Sequence, residues 1–235
     1  MNQAGRMRTV DELLAAIFET RPHPLYAEFA GWVRESRRFK VFATDHHAKI
    51  RSKLKQVRDD AGLKDLRTEL ETAFLLLRAE RFALEYEKYT ASRQRGPDFT
   101  ITYKTHTLVN VEVRRLRAVE ASDDPQIKLV GVLCDKVGQM PSGVLNVLWL
   151  AVEAGVTEAE FNRAAVTLRQ LAESKNEAFF ARRGFASAAE FHKQYQHLSA
   201  VVLHTVTGNA VWLNPLARHK LPPDLVAAFQ RLTST

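Results

Sequence analysis

The sequence contains a single cysteine, Cys134, among its 235 residues. One cysteine excludes an intramolecular disulfide and any zinc site that needs several cysteine ligands. Its neighbours along the chain are apolar and helix-forming, so we expect Cys134 to be a buried small hydrophobe. A chain of this length can bury a sizeable core without covalent crosslinks.

Long hydrophobic runs are also missing. The longest, residues 144–152, is far shorter than the roughly 20 apolar residues that span a bilayer. The start of the chain, MNQAGRMRTVDELL, has no apolar core of signal-peptide length. We therefore expect no membrane association and a cytoplasmic location. The sequence also lacks a P-loop, a GxGxxG fingerprint, a GxSxG nucleophile elbow and an HExxH zinc motif, which removes the function classes that depend on them.

Positive charge is in excess, with 34 Lys and Arg against 27 Asp and Glu and a formal net charge of +7. A basic balance favours a polyanionic partner such as nucleic acid. Many of the cations fall between residues 34 and 58, where interleaved apolar side chains predict ordered helix. Both a solvated helix face and a phosphate-binding surface account for this pattern. The nucleic-acid-binding candidates are Arg37, Arg38, Lys53, Arg115 and Arg117.

The segment 96–117 predicts two short strands joined by a polar turn at residues 104–107. The apolar residues that alternate with polar ones along both strands are Phe99, Ile101, Val109, Val111 and Val113. Side chains alternate faces along a strand, so Glu112 and Arg114 share one side, and pairing the strands brings Asp98 beside Glu112. Two carboxylates and a cation on one sheet face form an oxygen-rich site of the kind that Mg²⁺ needs.

Each of these side chains also has a simpler interpretation. Asp98 follows a proline and is typical of a turn at a strand entrance. Glu112 and Arg114 form an ordinary exposed ion pair in this alternative. When the three residues are considered together, the metal site is favoured over the simpler interpretation, because acids on two adjacent strands repel each other unless a cation compensates them.

The pair Pro97-Asp98 followed by Glu112-x-Arg114 resembles the signature of the PD-(D/E)XK nuclease superfamily. In that superfamily a hairpin carries an acid and then an acid-x-lysine. Arg114 stands where the pattern has lysine. The resemblance covers residues 64–152 and implies a restriction-endonuclease-like core, with Asp98, Glu112 and Arg114 as catalytic residues and Mg²⁺ or Mn²⁺ as the cofactor.

Two helices flank the predicted hairpin. On the first, about residues 64–81, Glu69 lies at the edge of the apolar stripe, and the resemblance implies that it is a further metal ligand beside Asp98 and Glu112. The alternative is a surface carboxylate paired with a nearby cation. On the second, residues 126–140, the resemblance implies that Lys136 and Gln139 border the active site. The positions of Lys136 and Gln139 are explained equally well by the solvent-exposed face of an amphipathic helix.

The order of predicted elements indicates an α/β fold, with a mixed central sheet flanked by helices and an N-terminal helical extension. Capping boxes predict helix starts at Thr9 and Thr157. An apolar run at 144–152 predicts a strand buried on both faces. The Gly208-Asn209 pair predicts a hairpin turn near the C-terminus. We divide the chain into an N-terminal helical, basic region (1–62), a nuclease-like core (63–175), and a C-terminal extension with a hairpin and a final helix (176–235).

The sequence thus predicts a divalent-metal-dependent nuclease that hydrolyses phosphodiester bonds in DNA. One alternative is a catalytically impaired protein of the same fold that binds nucleic acid or another protein. Another is a structural protein whose carboxylates are ordinary surface groups. The expected partner is DNA, and the sequence leaves a homodimer open.

Overall fold

A computed structural model of the protein describes residues 9–19, 22–88, 96–116, 125–152 and 157–233. The chain forms two compact units, Met1–Glu80 and Arg81–Thr235. The boundary lies at Glu80, whereas the division based on sequence placed it at residue 62. The helix that we assigned to the core therefore belongs to the first unit.

The described part of the first unit is helical. Its helices are α1 (Val10–Phe18), α2 (Tyr26–Glu35), α3 (Arg37–Asp45), α4 (His47–Gln56) and α5 (Asp60–Arg78). Thr9 and Glu12 form the predicted capping box at the start of α1. An aromatic cluster lies in the core, where the Trp32 and Phe74 rings stack at 5.7 Å and Phe39 contacts both rings edge-on. Such rings bury large apolar areas, which stabilises the packing of α2 and α3 on α5.

The Arg38 side chain caps the C-terminal end of α5. Its Nη1 donates hydrogen bonds to the backbone carbonyls of Leu77, at 3.1 Å, and Ala79, at 2.7 Å. The last carbonyls of a helix have no partner within the helix, and a cation there also interacts favourably with the helix dipole. This nucleic-acid-binding candidate therefore has a structural partner within the first unit.

Replacing Arg38 with alanine should lower the free energy of unfolding by about 1–2 kcal/mol, because two charge-assisted hydrogen bonds are lost. The midpoint of urea unfolding measures the change. Arg37→Ala is the matched control, since Arg37 is the exposed neighbour on the same helix, and it should change stability by less than about 0.5 kcal/mol. Equal effects of the two variants would contradict the capping role.

The second unit contains a mixed, open six-stranded sheet with the strands in chain order. The strands are β1 (Phe82–Tyr86), β2 (Phe99–Tyr103), β3 (Thr107–Leu116), β4 (Leu145–Val152), β5 (Leu198–Thr205) and β6 (Gly208–Leu213). The β3–β4 and β4–β5 pairs are parallel and the other pairs are antiparallel. The helices are α6 (Pro125–Val137), α7 (Glu158–Glu173), α8 (Glu177–Ala181), α9 (Ala188–Tyr195) and α10 (Pro223–Gln230). This confirms the predicted α/β class with a mixed sheet and flanking helices.

Helices α6, α7 and α9 cover one face of the sheet. Parallel neighbours need a crossover connection, and α6 supplies the one between β3 and β4, while α7 to α9 supply the next. Buried side chains of these helices pack on Leu116, Leu148 and Leu150, which project from this face. Glu112 and Arg114 project from it too, because they alternate with the valines of β3.

The C-terminal hairpin differs from its prediction. The turn between β5 and β6 is formed by Val206 and Thr207, and Gly208 already pairs with Thr205 in the sheet. Asn209 lies in β6, and its side-chain amide donates to the carbonyl of Phe229 at 2.9 Å. The prediction of a Gly-Asn turn was therefore wrong, because the Asn209 side chain instead hydrogen-bonds to a backbone carbonyl in the last turn of α10. Strands β5 and β6 continue the same sheet as β1 to β4. Among the described residues, no helix is long and apolar enough to cross a membrane.

Candidate functional site

The β2–β3 hairpin brings Asp98 to the strand that carries Glu112. Phe99 pairs with Val111 in antiparallel register, so the preceding Asp98 lies across from Glu112. The backbone N–H of Val113 donates to Asp98 Oδ2 at 2.8 Å. The Asp98 carboxylate is thus fixed beside the peptide that follows Glu112, at the open end of the hairpin.

Lys136 is the cation that compensates Glu112. Its Nζ forms an ion pair with Glu112 Oε1, and both side chains are only 14% exposed. Lys136 lies in the last turn of α6, where the helix dipole favours a positive charge. Charges that are this far removed from water are costly unless they are paired, so the contact holds the end of α6 against β3.

A cleft of about 780 Å³ opens beside this pair. The cations that line it are Arg114, Lys136 and Arg183, which come from β3, α6 and the turn after α8. Arg114 is exposed and follows Glu112 on the same strand face. Gln139 also lines the cleft, and its side-chain amide donates to the carbonyl of Asp135 at 3.0 Å. The cleft is therefore polar and mostly cationic.

A second, much smaller cavity lies behind Glu112. It has a volume of about 10 Å³, and its lining includes Glu112, Lys136, Asn110 and Asn146. This volume corresponds to about one water molecule. The accessible lining is mostly apolar, from residues such as Met140 and Val147, so the cavity adds no further polar group to the Glu112 carboxylate.

Buried amides form a ladder across three strands next to this cavity. The Thr100 hydroxyl donates to Asn110 Oδ1 at 3.1 Å, and Asn110 Nδ2 donates to Asn146 Oδ1 at 3.2 Å. Asn146 Nδ2 donates in turn to the carbonyls of Pro141, at 2.8 Å, and His197, at 3.0 Å. This ladder was not predicted from the sequence. A lone asparagine in the apolar run VLNVLWLAV was the signal that pointed to it.

The other predicted site residues have the following positions. Glu69 lies on α5 in the first unit, where its Oε1 accepts from Lys53 Nζ at 2.6 Å. Lys53, a nucleic-acid-binding candidate, and Glu69, a metal-binding candidate, are therefore partners of each other within the first unit. Metal binding by Glu69 stays a prediction. Arg115 is half-buried on β3. Arg117 lies outside the described residues.

Cys134 is 2% exposed, which confirms the predicted buried small hydrophobe. Burial raises the pKa of its thiol to about 12, so the thiol stays protonated at neutral pH. A protonated, buried thiol is a poor nucleophile. Cys134 is therefore not a candidate nucleophile for the cleft that it lines.

No cluster of three or more His, Cys, Asp and Glu side chains suited to a metal ion occurs within the described ranges. The hairpin offers two carboxylates, Asp98 and Glu112. No protein-family model, curated protein or solved structure matches this chain.

Proposed function

We propose that this chain is a divalent-metal-dependent nuclease that hydrolyses phosphodiester bonds in DNA. The observation that carries the proposal is the position of Asp98 and Glu112 across from each other on the β2–β3 hairpin. The chain order α5, β1, β2, β3, α6, β4 supports it, because a restriction-endonuclease-like core places its acids on such a hairpin between two helices.

The donor set fits Mg²⁺ or Mn²⁺. Mg²⁺ is usually held by one or two carboxylates together with waters and substrate phosphates, and it does not need a cage made of protein ligands. Asp98 and Glu112 supply hard oxygen ligands at facing positions of the hairpin. These two residues would hold the ion.

A bound ion would acidify a water and offset the charge that builds up on the phosphate. The protein's own cations have separate tasks. Arg114 holds the scissile phosphate through its planar fork, because a guanidinium is an excellent phosphate donor but does not deprotonate in proteins. Lys136 lines the cleft beside Glu112, so its ammonium adds a second positive charge next to the phosphate. The lysine that the hairpin lacks at Arg114 is thus replaced by one from α6.

The test is metal-dependent cleavage by the purified wild-type chain. Supercoiled plasmid, linear duplex DNA and RNA are incubated with Mg²⁺ or Mn²⁺ and, in parallel, with chelator. We expect DNA cleavage that needs the metal and stops in chelator. Absence of cleavage with either metal would overturn the nuclease proposal.

The second candidate is a nucleic-acid-binding module of the same fold, and the Lys136–Glu112 ion pair favours it. A lysine already neutralises the carboxylate that a metal would need. Under this alternative the chain binds DNA equally well in chelator, with a steep dependence on salt and with no cleavage. The plasmid experiment, repeated as a binding assay, separates the two candidates.

A further inference from the structure

The turn after α8 has a fixed backbone. Gly184 adopts φ 83°, a left-handed conformation that favours glycine. The N–H of Gly184 donates to the carbonyl of Ala181 and the N–H of Phe185 to that of Phe180, both at 3.1 Å. These two bonds form a Schellman motif, which ends the helix in a defined direction. Arg183, the residue before the glycine, is therefore held at a constant position at the cleft wall.

The side chain of Arg183 is also held. Its guanidinium carbon lies 4.6 Å from the centre of the Phe179 ring. A cation over an aromatic face is attracted by the ring quadrupole, so the Phe179 ring orders the guanidinium. The guanidinium also lies close to Gly131 of α6, where a Cβ would make an ordinary van der Waals contact with Arg183 Nη1 at 3.6 Å. A cation that is ordered before binding loses little conformational entropy when it binds a ligand.

Arg183 faces the same cleft as Arg114 and Lys136. Asp135 is the one acid among the described residues that line it. The cleft volume of about 780 Å³ is far larger than one phosphate requires and suits a ligand of drug-like size or larger. Three cations from three separate elements along one cleft match a ligand that carries several phosphates in a row.

We infer that Arg183 binds a backbone phosphate of DNA next to the phosphate that is cleaved, so that the cleft from Arg114 to Arg183 holds the substrate strand. Arg183 is then a positioning residue for the substrate. The inference deepens the proposed function and rests on it for the identity of the cleaved phosphate. The planar fork of arginine binds phosphate through two parallel hydrogen bonds, and ordering by Phe179 presents that fork to the strand.

The experiment measures DNA affinity without cleavage. A fluorescein-labelled 20-base-pair duplex and its single strand are titrated with the full chain in chelator, over a series of salt concentrations. The variants are Arg183→Gln and Arg182→Gln, which remove the same charge from adjacent residues, and Arg182 is exposed and does not line the cleft. Arg183→Lys tests whether a cation without the fork is sufficient. Thermal unfolding of each variant shows that it is folded.

Arg183→Gln should weaken binding about tenfold at about 0.1 M salt and reduce the slope of log affinity against log salt by about 1. Arg182→Gln should change affinity less than about twofold, and Arg183→Lys should recover part of the loss. Equal affinities for the two glutamine variants, or no DNA binding by the wild-type chain, would overturn the inference. A selective loss at Arg183 without metal-dependent cleavage by the wild type would instead keep the binding role and overturn the nuclease.

Discussion

Replacing Lys136 with methionine should tighten Mn²⁺ binding to the chain while slowing DNA cleavage by about 100-fold or more. The ammonium competes with a metal for Glu112, and both side chains are only 14% exposed, so its removal frees a carboxylate that is poorly hydrated. The same ammonium offsets charge on the phosphate in the proposed reaction, and losing one such electrostatic donor costs about 10²–10³ in rate. Calorimetry with Mn²⁺ and single-turnover cleavage measure the two opposite changes.

Glu112→Gln provides the contrast. It removes a metal ligand, so both Mn²⁺ affinity and cleavage should fall, and the ammonium of Lys136 loses its partner. Glu85→Gln is the matched control, because Glu85 lies on β1 of the same sheet, is 53% exposed and pairs with Lys88. Weaker Mn²⁺ binding in Lys136→Met would show that the lysine supports the metal site and does not compete for it. Unchanged cleavage in both variants would remove the pair from the mechanism.

The local parts of this site were predictable from the sequence. The alternation around Asp98 and Glu112 specified a hairpin, and a strand period of two fixed which side chains share a face. The capping boxes at Thr9 and Thr157 specified helix starts, and both form in the structure. Each of these features depends on residues within a few positions of one another, where spacing alone determines the geometry.

The contacts that complete the site were not predictable in this way. Lys136 contacts Glu112 because the crossover connection places the last turn of α6 over β3. The amphipathic pattern of α6 predicted only that this lysine lies at the edge of the polar side of the helix. Arg38 was a candidate for phosphate binding from charge density, yet its partners are carbonyls of α5. The turn signal at Gly208-Asn209 failed because a tertiary contact with α10 uses the asparagine. Tertiary packing overrides local preference at each of these positions.

Asn146 shows most clearly how a buried polar residue shapes the site. Its side chain is buried, with 2% of the residue exposed. Its Nδ2 lies within hydrogen-bond distance of three backbone carbonyls, those of Pro141 (2.8 Å), Val144 (3.2 Å) and His197 (3.0 Å). Two of these belong to the turn that leads into β4, and Pro141 borders the small cavity beside Glu112. The side chain therefore fixes one wall of the small cavity beside Glu112.

Asn146→Leu should lower the free energy of unfolding by about 3 kcal/mol or more, because it leaves several buried carbonyls and the Asn110 amide without their partner. Asn146→Asp, which keeps the shape but removes the donors, should be similarly destabilising. The double variant Asn146→Leu/Asn110→Leu should lose less stability than the sum of its two single changes, since the two residues share one hydrogen bond. Urea unfolding of the four variants measures these differences. A loss of less than about 1 kcal/mol in Asn146→Leu would mean that the carbonyls find other partners, and the wall beside Glu112 would then not depend on this amide.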